Sequence, residues 1–129
     1  IVWVLHVAYL WLPIGFALKA CALLNGAAFA AFWLHALTVG AAATMILGVM
    51  TRAALGHSGR PLVASPMITA AYLLLTAAAL VRVFGLAGSG QSYPALILLA
   101  AILWTAAFGL YLLVYTPILW GPRADGKPG

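Results

Sequence analysis

The side chains best suited to chemistry are three histidines, His6, His35 and His57, and a small set of arginines, in a sequence that is otherwise 67% hydrophobic and 5% charged. His35 opens a helical stripe. At 100° per residue, His35, Thr38, Ala42, Met45, Val49 and Arg52 share one face. An intramembrane histidine is rare and usually points into a bundle, so this stripe is expected to face the bundle interior or a partner missing from it. The alternative is a histidine that only hydrogen-bonds to a neighbouring backbone. The opposite face carries Gly40, Thr44, Gly48 and Thr51, a ladder of small residues that lets another helix come close.

A second group gathers at the other end of the same segment. Counting about 1.5 Å per residue puts His6 about 27 Å, and His35 about 12 Å, from the side on which the first segment ends. Those two are too different in depth to share a metal. His57 lies at the depth of His6, with Arg52 and Arg60 close by. Two imidazoles suit haem iron or copper, and two guanidiniums suit haem propionates, because arginine grips carboxylates in bidentate fashion. The competing reading is a basic loop resting on anionic lipid headgroups.

What is absent narrows the field. The one acid, Asp125, sits in the C-terminal tail against six basic residues. No apolar span holds a carboxylate, which excludes paired-carboxylate acid–base chemistry, carboxylate-held metal clusters and carboxylate proton relays within this chain. The same count leaves Arg52, Arg60 and Arg82 with no acidic partner expected within this chain. The single cysteine, Cys21, precludes an internal disulfide and reads as a small buried hydrophobe. No phosphate-binding glycine loop, nucleophile–His–Asp set or CxxC occurs. The net charge of +5 does not point to nucleic acid, because the basic residues are scattered at span ends and in loops.

The elements that must position these groups follow from hydropathy. With so few charges the chain could not cover its own surface in water, so its outer solvent is the lipid bilayer. Four apolar spans stand out, at about 1–24, 27–55, 66–86 and 94–120, each at least the roughly 20 residues needed to cross about 30 Å of hydrocarbon. The fold expected is an all-α membrane protein, four antiparallel transmembrane helices in a bundle, followed by a polar tail at 121–129. Asn25-Gly26 reads as a turn, Ser65-Pro66 as an N-cap with a first-turn proline, and Gly88–Ser92 as a loop. Within the third span, Thr69, Tyr72 and Thr76 are expected to hydrogen-bond between helices. The fourth carries an aromatic stripe, Trp104, Phe108, Tyr111 and Tyr115, that suits either packing or a flat cofactor, and Pro117 is expected to kink its end. Arg52, Arg60, Arg123 and Lys127 lie on one side against Lys19 and Arg82 on the other, which makes both termini cytoplasmic. The apolar opening without an initiator methionine or a cleavage site reads as a cut end rather than a signal peptide.

One stretch goes beyond composition. His35-Ala-Leu-Thr-Val-Gly-Ala, Met45-Ile-Leu-Gly-Val-Met-Thr-Arg-Ala and Leu55-Gly-His-Ser-Gly-Arg-Pro-Leu resemble the NnrS family, with Ser58 standing where that pattern has threonine. The final Tyr115-Thr-Pro-Ile-Leu-Trp-Gly-Pro-Arg-Ala-Asp-Gly-Lys-Pro-Gly is similar to the end of such proteins. The resemblance implies a multi-pass protein of the bacterial inner membrane that binds haem and copper and acts in resistance to nitric oxide and nitrosative stress, linked to denitrification. It implies His35, His57 and His6, with Met45, as candidate metal ligands, and Arg52, Arg60 and Thr38 as candidate cofactor-binding residues. Full-length members are much longer, so this chain corresponds to a C-terminal part, and N-terminal helices of a longer chain are expected partners. No residue identifies a substrate, so the resemblance does not decide whether the protein is an enzyme. The alternative is a transport or structural bundle whose histidines are packing residues.

Overall fold

The computed structural model, described here for residues 1–86 and 90–126, contains four long helices and no strand among those residues. We label them α1 (Val2–Asn25), α2 (Trp33–His57), α3 (Pro66–Gly85) and α4 (Tyr93–Trp120). All four are long and apolar enough to cross a bilayer. In lipid, the backbone must satisfy its own hydrogen bonds, and helix is the form in which a continuous apolar run does so.

The stop and start signals act as read. Gly26 takes φ 59°, the left-handed conformation that ends α1. The α2 segment starts later than hydropathy alone implies: a short 3₁₀ turn at Ala28–Ala30 precedes the helix proper at Trp33. At the other end of α2, Arg60 N donates to Leu55 O at 2.9 Å, Gly59 N donates to Gly56 O at 3.3 Å, and Gly59 has φ +70°. These are the paired bonds of a Schellman cap, which requires a residue in the left-handed region. The Gly-His-Ser-Gly-Arg-Pro run is therefore a helix stop, with Pro61 just past it. The Ser65 hydroxyl accepts from Ile68 N at 3.3 Å, and Pro66 opens α3. Pro117 lies inside α4, which continues to Trp120. Gly88 and Ser89 of the loop before α4, and Lys127 of the tail, lie outside the described residues.

Neighbouring helices run antiparallel. Gly48 of α2 meets Val4 and Leu5 of α1, Gly40 meets Trp11, and Gly15 of α1 meets Leu37, so residue numbers rise on one helix as they fall on the other. A Cβ on Gly40 would collide with the Trp11 indole, and one on Gly48 would come to 2.8 Å from Leu5 Cδ2. Thr44 and Thr51 of the same ladder are fully buried. The ladder of small residues is thus the core face of α2. The stripe opposite is not: Thr38, Ala42, Val49 and Arg52 are exposed, and His35 and Met45 are half-buried. Of the two expectations for the stripe, the interior of these four helices is excluded, and a partner outside them is left. Lipid is as apolar as leucine, so close backbone approach decides which face turns inward, and glycine wins that contest over histidine or arginine.

The core divides into two layers. One, towards the His57 end, joins Val4, Leu47, Ile68, Tyr72, Leu75, Tyr111 and Tyr115; the other, towards the His35 end, joins Trp11, Leu18, Ala36, Ala41, Ala79 and Val83, with Cys21 at its margin. The threonines of α3 do not bond between helices. Thr69 donates to Ser65 O at 3.1 Å and Thr76 to Tyr72 O at 2.8 Å, each one turn back on its own helix, the local bond a short hydroxyl reaches most easily.

Two stretches are π-helical, Ala36–Ala43 in α2 and Val81–Gly85 in α3. Such wider turns shift the register of everything beyond them and often occur at functional sites.

Candidate functional site

The expected site residues fall at opposite ends of the bundle. At the His57 end, α2 stops at the Schellman cap, which leaves His57 exposed on its last turn. His57 and Arg52 together line a groove completed by Val49, Ala53, Gly56 and Leu62. Its walls are otherwise apolar. His57 also borders a second cleft with Ser58, Ile118, Leu119 and Arg123.

The C-terminal tail folds back onto this corner. Arg123 Nη1 donates to the His57 carbonyl at 2.9 Å, and Ala124 N to the Ser58 carbonyl at 2.9 Å. A cation at a helix C-terminus satisfies carbonyls that have no partner within the helix. Arg123 also pairs with Asp125 at 2.6 Å. That neighbour holds the guanidinium above its ordinary pKa. The Asp125 carboxyl packs against Gly59. Arg60 is half-buried and directs Nη1 to the Ser58 carbonyl at 3.5 Å, and so belongs to the loop more than to the groove.

His6 stands apart from this corner. It is exposed on α1, with Nδ1 3.0 Å from the Val2 carbonyl. Its neighbour Leu5 meets Gly48, nine residues before His57, which is about 14 Å along the helix. The structure thus brings Arg52 to His57 but leaves His6 on another level of the bundle.

At the opposite end, His35 is half-buried at the start of α2, its ring stacked on Phe32 with centroids 6.0 Å apart. Phe32 in turn lies 6.5 Å from Tyr93. The first turn of α2 packs on the π-helical turn of α3, which brings Arg82 within electrostatic reach of His35. Thr38 spends its donor on the Leu34 carbonyl at 2.9 Å. Met45 is half-buried between these two ends.

Three features were not found by sequence reasoning. Arg82 lines a cavity rather than only a span end. Its signal was legible, a lone cation in an apolar run, but the π-helical turn that aims it was not. The tail contacts of Arg123 and Asp125 had no local signature. Nor did the Tyr72 hydroxyl, which is buried beside Thr51 without a well-formed hydrogen bond to it.

The donor set can be compared with the expected cofactors. Among the described residues no three His, Cys, Asp or Glu side chains lie close enough to hold a metal ion. A metal centre held by three such side chains is therefore not formed by the described residues alone. A haem fits better at the His57 groove, where one exposed imidazole, one guanidinium and apolar walls match an axial ligand, a propionate partner and a porphyrin edge. Comparison with curated proteins and with solved structures finds no match. The family model described as NnrS protein matches residues 1–123, nearly the whole chain and both ends of the bundle, and the chain belongs to the NnrS family.

Proposed function

We propose that this chain is part of an NnrS-like protein of the bacterial inner membrane that binds haem at the His57 groove and acts in the nitric oxide and nitrosative stress response linked to denitrification. The observation that carries the reading is the family match together with a largely apolar groove that exposed His57 shares with Arg52. In this arrangement His57 would hold the haem iron and Arg52 a propionate, at the point where the Schellman cap ends α2. Haem, when bound, supplies the redox-active iron. Copper, the other cofactor of the resemblance, requires ligands beyond the described residues; His35 and Met45 are the donors this chain offers it.

Both termini and the His57 loop face the cytoplasm in this reading, by the excess of basic residues there. The outward stripe of α2 meets further helices of a longer chain, because an ionisable side chain such as Arg52 is costly to leave in lipid.

The test is the optical spectrum of the protein purified from a haem-replete host. A Soret band is expected. His57→Ala should lower haem content by at least about tenfold, the scale on which metal sites respond to lost partners, and Arg52→Ala by a smaller factor. A colourless, metal-free protein would overturn the reading. It would favour a transport or structural bundle, which the local contacts of His6 with Val2 and His35 with Phe32 already suit.

A further inference from the structure

The bundle holds a cavity of about 270 Å³ between α2, α3 and α4, away from the His57 groove. Val39, Ala78, Arg82, Ile97, Ala100 and Trp104 line it. Both π-helical stretches reach it: Val39 belongs to the one in α2 and Arg82 to the one in α3. The third wall is α4. None of its residues from Tyr93 to Leu99 is buried, and Ala100 is the first that is. Small alanine side chains leave the slot open. Trp104, 42% exposed, closes its deeper end against Phe108 at 4.5 Å. The slot therefore opens sideways, at membrane depth.

Its chemistry is lopsided. Arg82 is the one charged side chain in a lining that is otherwise apolar apart from Thr105. The chain's single acid, Asp125, is at the far end of the bundle and bound to Arg123. Lys19, the other cation of the near end, sits over the Trp33 ring at 4.9 Å. Among the described residues no carboxylate lies at Arg82. A guanidinium in an apolar slot is costly unless an anion joins it.

The axial positions add a direction. Arg82 is three residues from the end of α3, near the membrane surface. From Ile97, at that end of the slot, to Trp104 is about 10 Å along α4. The charge is thus superficial and the apolar part runs inward. We infer that the slot binds a single-chain anionic amphiphile, its carboxylate or phosphate head on Arg82 and its acyl chain along Ala78 and Ala100 towards Trp104. A free fatty acid and one chain of an anionic phospholipid share this chemistry.

Quenching of Trp104 fluorescence by brominated acyl chains tests the inference, with the intact protein in phosphatidylcholine nanodiscs. One arm adds a dibrominated fatty acid; the other dopes the nanodisc with brominated phosphatidylglycerol. The slot signal is the quenching lost in Trp104→Phe under the same load, which separates Trp104 from the other four tryptophans. Saturable quenching in either arm is expected and identifies the source. Arg82→Gln should raise the half-saturating concentration by about tenfold, Arg82→Lys by less, in keeping with the bidentate advantage of arginine. Ala101→Phe, which fills the slot and leaves Arg82 in place, should abolish the slot signal, so the outcome does not rest on one variant folding. Equal quenching by a brominated fatty alcohol, or an Arg82→Gln protein that binds as wild type does, would overturn the inference.

Discussion

Individual side chains in this bundle are governed by how they satisfy polar atoms without water. Thr51, fully buried, donates to the Leu47 carbonyl at 2.9 Å. Tyr111 reaches the Met50 carbonyl only at a long 3.5 Å, and the Tyr72 hydroxyl has no partner of its own among the described residues. A buried hydroxyl left unpaired costs about 1–3 kcal/mol. Tyr72→Phe should therefore leave the protein as stable as wild type or more so, while the ring keeps its edge-on contact with Trp3 at 5.7 Å. Thermal unfolding in detergent measures this. A clear drop in midpoint would mean that the hydroxyl does bond, with Thr51 as the acceptor at hand.

At the scale of elements, α1 and α2 are joined by interlocking small and large residues. Because lipid gives no hydrophobic drive to helix association, this contact depends on close fit. Gly40→Ala should destabilise the pair by about 1–3 kcal/mol, the usual cost of overpacking, since the new methyl meets the Trp11 indole. Gly109→Ala is the matched control. It sits inside α4 with nothing within 4 Å of a new Cβ, so it should be neutral or gain about 0.5–1 kcal/mol from helix propensity. Equal effects from the two changes would show that the α1–α2 seam is looser than its geometry implies. Much of this was legible beforehand. The small-residue ladder, the Ser65 cap and the Gly26 stop were visible because each is a local pattern with a local cause. The π-helical turns were not, since they arise from how helices settle against each other and leave no mark in residue type.

The whole molecule sets its two ends in different chemistry. At one end the tail caps the C-terminus of α2 beside the His57 groove; at the other, Arg82 faces its slot. Four spans put these ends on opposite sides of a membrane, and the basic residues favour the His57 end as cytoplasmic. A cysteine-accessibility experiment decides this. In a Cys21→Ala background, a membrane-impermeant maleimide added to intact cells should label Gln91→Cys, in the exposed turn before α4, and spare Leu62→Cys, in the loop after α2. The reverse pattern would invert the topology and place the proposed haem groove outside the cytoplasm.

Hydropathy, turn residues and caps by themselves determined that this chain is four membrane helices, where three of them begin or end, and which family it joins. They did so because burial in lipid forces helix and because glycine, serine and proline act within a few residues of where they stand. Only the tertiary structure decided which face of α2 turns inward, that His6 and His57 lie on different levels, that the tail's Asp125 packs against Gly59, and that Arg82 opens onto a cavity. Each of these depends on the competition between helix faces for close approach, or on a contact between segments as far apart as His57 and Arg123. A periodicity of 3.6 residues cannot report such contacts, and the wider π-helical turns break that periodicity between His35 and Arg52.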